Sequence, residues 1–315
     1  MNQKRFFAFG CSFTQYSWIT WADIISLKLS NEGYECYNFG NSGTGNQAIH
    51  SSLVTANSIY NFTDDDIIMV MWSSWNREDR YTTRKEYVNQ FFGAIPNGLT
   101  GAWVKDGNIL SGGEFYDVEF IDKYWSLDND AIKNITAIES SRKMFNITFE
   151  GDIGSCFENK NGEAREGVTL SDEDRLFTQF SNLYMPNPMN LQGAGVKLSA
   201  HADKALFEQD GHGLPSMHLD YIRTVIQPLV DIELTDADTD EWVARYWAKA
   251  KGFIRAELLI LPELEDRKTA MGLAKSKIAA FTIDSVKLKR KGLIALWHKY
   301  TVFDMLTKFS EQNKS

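Results

Sequence analysis

Apolar positions near the start of the chain fall into short unbroken runs separated by longer segments with helical spacing. Phe6-Phe7-Ala8-Phe9 has strand length, and residues 18–29 read as a helix. Residues 34–39 return to strand length, about 46–58 read as helix, and Ile67-Ile68-Met69-Val70-Met71-Trp72 is continuously apolar. An apolar run without polar alternation suits a strand covered on both faces. Strands alternating with helices predict an α/β fold with a central parallel sheet and helices on both sides. Asp64-Asp65-Asp66 is a polar turn leading into the third strand.

Beyond this the pattern changes. Residues 95–125 are rich in Gly, with Trp103, Phe115 and Tyr116, and predict hairpins or an ordered loop inserted in the sheet. Residues 77–80 (Arg77, Glu78, Asp79, Arg80) read as a solvated loop or an anion-contacting one, 129–145 as a helix and 145–149 as a strand. Residues 150–205 are poorly periodic and form a second insertion. A helical pattern resumes over 216–230, and Thr235-Asp236-Ala237-Asp238-Thr239-Asp240 offers a linker or N-cap. The boundary is placed there, giving a domain over 1–235 and a helical C-terminal appendage over 236–315, with segments at 240–260, 264–282 and 286–310.

The 315 residues, 43% of them apolar, suffice for a sizeable core. No stretch has the length of a membrane span, and the opening Met-Asn-Gln-Lys-Arg leads into a strand without a signal-peptide pattern, so a cytoplasmic location is expected. Cys11, Cys36 and Cys156 lack metal spacing and read as free thiols. The net charge of -9 is uneven: residues 241–315 carry 15 Lys and Arg against 8 Asp and Glu, leaving 18 against 34 in the rest. An acidic body argues against a nucleic-acid substrate. The basic run Lys287-Leu288-Lys289-Arg290-Lys291 leaves open an anionic partner, and the amphipathic C-terminal helices a homo-oligomer or docking onto an assembly.

The candidate chemistry begins at the tip of the first strand, where Gly10-Cys11-Ser12-Phe13-Thr14 places a serine at a carboxyl edge. Among the five histidines, His212 and His218 sit in Asp210-Gly211-His212-Gly213-Leu214-Pro215-Ser216-Met217-His218. An Asp two residues before a His can orient the imidazole and leave its other nitrogen to accept a serine proton.

Gly10-Cys11-Ser12-Phe13-Thr14 resembles the first block of the SGNH/GDSL hydrolases, with Cys11 where that family has Asp. Asn38-Phe39-Gly40-Asn41-Ser42-Gly43-Thr44-Gly45-Asn46 matches the second block. The third falls at Trp72-Ser73-Ser74-Trp75-Asn76-Arg77, where the usual Gly-x-Asn-Asp is missing. The last block corresponds to Asp210-Gly211-His212, one residue short and without the neighbouring proline. The set is similar to a divergent phage and bacterial branch of the family. The resemblance implies a three-layer sandwich of flavodoxin-like type over about residues 4–230 and a serine esterase. Ser12 would be the nucleophile, His212 the base and Asp210 its orienting partner, and the Ser12 and Gly43 amides with Ser74 or Asn76 would form the oxyanion hole. The implied substrate is an O-acetyl or other small acyl ester, on a polysaccharide or other carbohydrate or on a small molecule, with no metal or organic cofactor. The alternative is an inactive SGNH fold kept as a binding or structural component, such as a virion protein.

Other residues carry two readings each. His218 is a packing or substrate-contacting residue, or the base in place of His212. Trp75 and Arg77 are candidate substrate contacts. Tyr16, Trp18, Trp21, Trp72, Trp75 and Trp103 could stack on sugar rings or pack in the core, the latter favoured for Trp21 and Trp72. Cys11 is expected to point away from Ser12, and His50 and His201 to be surface or hydrogen-bonded residues.

Overall fold

The computed structural model describes residues 3–74, 77–82, 102–108, 123–153, 187–188, 212–234, 237–260 and 272–278. Its elements run β1 (Arg5–Gly10), α1 (Trp21–Asn31), β2 (Glu35–Asn38), α2 (Asn46–Tyr60), β3 (Ile67–Trp72), β4 (Arg77–Thr82), β5 (Ala102–Asn108), α3 (Leu127–Met144), β6 (Phe149–Asp152), β7 (Asn187–Pro188), α4 (Pro215–Tyr221) and α5 (Ala237–Ile260). A π-helical turn, Ile222–Ile226, extends α4.

The fold is α/β, as the alternation predicts. Four strands form a parallel sheet in the order β2-β1-β3-β6, and the two residues of β7 pair parallel at the β6 edge. Strand β1 shows how the sequence builds the core. Successive side chains of a strand point to opposite faces, so Phe6 and Ala8 join one cluster with Trp21, Ile24, Ile25 and Leu29 of α1. Phe7 and Phe9 join another with Ile49 and Leu53 of α2 and Ala131 and Ile138 of α3. In this second cluster the Phe7 ring stacks on Tyr37 at 5.0 Å and Phe9 on Phe39 at 5.1 Å.

Helix α1 begins at Trp21 rather than 18, because Thr20 is extended and its N–H donates to Asp23 Oδ2 at 2.9 Å, half of a capping box. The strand expected over 145–149 instead lies at Phe149–Asp152. Phe145 closes α3, its N–H on Ser141 O at 2.9 Å and its ring buried in the second cluster, and pairing with the sheet starts only at Met69 and Phe149. Residues 77–80 are likewise not a solvated loop. They belong to β4, which pairs antiparallel with β5 in a separate two-stranded sheet, and Glu78 and Asp79 are buried.

Helix α5 begins at Ala237, inside the stretch 235–240 read as a linker or N-cap, so Ala237–Asp240 form its first turn. Its Val243, Tyr246, Trp247, Ala250 and Ile254 enter the same cluster as α1, as do Ala274 and Ile278 of the helical segment 272–278. The Trp247 ring meets Trp18 at 5.6 Å. The apolar core therefore runs across the compositional boundary at 235. The expected segment 286–310 and most of 95–125 and 150–205 lie outside the described residues. No described helix is long and apolar enough to cross a membrane.

Candidate active site

Chain order and sheet order together create a crevice. From β1 the chain passes through α1 to β2 on one side, then through α2 to β3 on the other side of β1. In parallel α/β sheets the carboxyl ends flanking such a reversal are left uncovered, and ligands bind there. Ser12 follows β1, Gly43 follows β2 and Ser74 follows β3, so three predicted site residues sit at this edge.

The serine turn is tightly determined. The N–H groups of Thr14 and Gln15 both donate to Cys11 O, at 2.9 and 3.1 Å. Cys11 is fully buried in the first cluster, while Ser12 is 3% exposed. Gly10 has φ +155, and a Cβ there would collide with Thr14 and come within 2.8 Å of Met71 O. The Thr14 carbonyl accepts from Thr20 Oγ1 at 2.6 Å and Asn38 Nδ2 at 2.9 Å. Asn38 also donates to Asp23 Oδ1 and accepts from Gly40 N–H at 2.9 Å, and Asn41 N–H donates to Gly10 O at 3.0 Å. The second block is thereby fastened against the first.

His212 arrives from the far end of the chain. Its ring stacks on Tyr16 with centroids 3.9 Å apart and planes 13° from parallel, and lies 5.4 Å from the Phe13 ring. Both aromatics belong to the loop that carries Ser12. The segment is pinned by Trp18 Nε1, which donates to Gly213 O at 2.7 Å across 195 residues of sequence. His212 and Tyr16 keep partial exposure, whereas Trp18, Trp21 and Trp72 are fully buried and unavailable for stacking on a ligand. Lys275 Nζ lies 5.3 Å from the Tyr16 ring centre. Asp210, Asn76, Trp75 and the Trp103 side chain lie outside the described residues, as do His201 and Cys156.

His218 is buried in α4, with Nδ1 lacking a hydrogen-bond partner among the described residues. Burial, reinforced by the neighbouring His212, lowers its pKa to about 3. It is neutral at ordinary pH and a poor proton acceptor, so the packing reading fits it better than that of a base. His50 is hydrogen-bonded, its Nδ1 2.8 Å from Ser141 Oγ, and burial lowers its pKa.

The Ser74 side of the crevice rests on Asn46, to which sequence reasoning gave no role, and on Arg77 and Asp79, whose contacts here are with the backbone of the second block. Asn46, the first residue of α2, accepts from Ser73 N–H at 2.6 Å and donates to Ser73 O at 3.0 Å and Asn134 Oδ1 at 2.6 Å. Ser74 itself is 3% exposed. Gly43 has φ +77. Arg77 Nη1 donates to Thr44 O at 3.0 Å, so this guanidinium serves the Gly43 loop. Asp79 accepts from Gly45 N–H and Ala48 N–H at 2.9 and 3.1 Å. Next to these lies an acid cluster: Lys133 Nζ bonds both Glu78 oxygens at 2.8 Å, and Trp125 Nε1 donates to Asp130 Oδ2 at 2.6 Å. Burial, aided by Glu78, raises the Asp130 pKa to about 7.

Some of this was within reach of the sequence. Thr20-x-x-Asp23 is a capping signature, and Asn38 and Asn46 bound the second block. Nothing local connects Asp79 with Gly45 or Asn134 with Asn46. Among the described residues no group of three or more His, Cys, Asp or Glu side chains is placed to hold a metal ion. A hydroxyl, an imidazole and a loop with a left-handed glycine at one sheet edge are the elements acyl transfer uses. No protein-family model, curated protein or solved structure matches the chain.

Proposed function

We propose that this chain is a serine ester hydrolase of the SGNH type, a three-layer α/β sandwich that removes O-acetyl or other small acyl groups from a carbohydrate or small-molecule ester. The observation that carries this reading is the seating of His212 on Tyr16 beside Phe13, which brings the histidine of the late motif to the loop that bears Ser12. Two aromatic contacts and the Trp18 hydrogen bond hold the imidazole there. In this reading Ser12 Oγ attacks the ester carbonyl and His212 takes its proton and returns it to the leaving alcohol. Asp210 orients the imidazole. The amides of Ser12 and Gly43, with Ser74 or Asn76, stabilise the oxyanion. Each such donor is worth about 3 to 4 kcal/mol in the transition state.

A second reading is favoured by a separate observation. Ser12 is 3% exposed and the third block lacks its usual Asn, as suits an SGNH fold kept for binding or assembly. Hydrolysis of 4-nitrophenyl acetate by the wild-type chain, Ser12→Ala and His212→Ala at matched folding separates the two. The esterase reading expects both variants to fall to background. Equal rates in all three chains would transfer the proposal to the binding module.

A further inference from the structure

Helix α2 starts directly after the Gly43 loop, and its cap is unusual in origin. The first N–H groups of a helix lack intrahelical acceptors, and a Ser, Thr, Asp or Asn at the N-cap ordinarily supplies one. Here the N-cap is Gly45, which has no side chain to do so. The acceptor comes from β4: Asp79 Oδ1 takes the Gly45 N–H and Asp79 Oδ2 the Ala48 N–H. The fit is close, since a Cβ on Gly45 would lie 2.7 Å from Asp79 Oδ2 and 2.9 Å from Arg77 O. Arg77, two residues earlier on the same strand, holds Thr44 O. Asn46 ties the other side of this junction to Ser73. The backbone on either side of the proposed oxyanion hole is thus held by the buried Asp79 and Asn46 and the half-buried Arg77.

We propose that Asp79 is a positioning residue for acyl transfer at Ser12: by capping α2 from β4 it fixes the loop from which the Gly43 amide donates to the oxyanion. This rests on the esterase reading. Its chemical content is geometric. Charge builds on the carbonyl oxygen only in the transition state, so a loosened donor weakens kcat more than substrate binding.

The test compares wild type, Ser12→Ala, Asp79→Ala and Asp79→Asn in 4-nitrophenyl acetate hydrolysis, with labelling by a small fluorophosphonate and thermal unfolding alongside. Asp79→Ala, which removes both acceptors, is expected to lower kcat about 10- to 100-fold with KM within about threefold. Asp79→Asn keeps one acceptor oxygen but turns an NH2 donor toward the other amide N–H, and is expected to recover only part of that loss. Should Asp79→Ala fail to fold, Asp79→Ser, which shortens the acceptor's reach, is compared in its place. A folded Asp79→Ala chain with wild-type kcat, a change confined to KM, or an Asp79→Asn chain faster than wild type would each overturn the positioning role while Ser12-dependent activity stood. A wild-type chain that neither hydrolyses the ester nor labels at Ser12 overturns the esterase reading, and the role of Asp79 with it.

Discussion

Asp130 offers a quantitative test of the packing around β4 that does not depend on the enzymatic reading. The residue is 2% exposed, its carboxyl accepts from Trp125 Nε1 and neighbours Glu78, and burial raises its pKa to about 7. An unfolded-chain aspartate titrates near 4. The folded state therefore holds a proton that the unfolded state releases between about pH 4 and 7, and stability from this group is present at low pH and lost as pH rises through 7. A difference of about 3 pKa units corresponds to roughly 4 kcal/mol, of which about 3.5 is expressed between pH 4 and 8. Asp130→Asn keeps the shape and an acceptor for Trp125 while removing the ionisation. Urea unfolding at several pH values should show the variant gaining on wild type by about 3.5 kcal/mol from pH 4 to 8, against a common background from all other groups. Parallel stability profiles, or a variant that loses ground to wild type as pH rises, would refute the claim that this carboxyl is buried and protonated.

Other perturbations probe the site's supports. Trp18→Phe removes the bond to Gly213 O and part of a fully buried ring, and should cost about 2 to 4 kcal/mol in urea unfolding. A cost well under 1 would mean that the His212 segment is held by other contacts. Gly10→Ala must clear Thr14 and Met71 O at a positive φ, so its melting temperature should fall sharply. Gly252→Ala, in α5 with nothing within 4 Å of the added Cβ, should instead stabilise by about 0.5 to 1 kcal/mol. Equal shifts at the two glycines would contradict the close approach argued for the serine turn.

The alternation of apolar runs and helical spacings by itself determined the first five elements, to within a few residues, and the parallel sheet they form. The reason is local: unbroken apolar strands such as Ile67–Trp72 need cover on both faces, and the connecting segments can supply it only as helices. Ser12 was legible for the same reason, since a Gly-x-Ser turn after such a strand lies at a carboxyl edge. Residues 77–80 were misread because four consecutive charged residues look solvated. Only the tertiary structure gives Glu78 its Lys133 and Asp79 the amides of α2, and so makes their burial affordable. The sequence favoured His212 over His218 as the base from its Asp-x-His setting alone, and the structure adds that His218 lies buried in α4 while His212 keeps partial exposure at the serine loop. The seating of His212 beside the serine loop, the Asn46 clamp on Ser73 and the entry of α5 into the first core all join residues far apart in the chain. Such pairings leave no periodic trace, because they are decided by which surfaces meet once the sheet has closed.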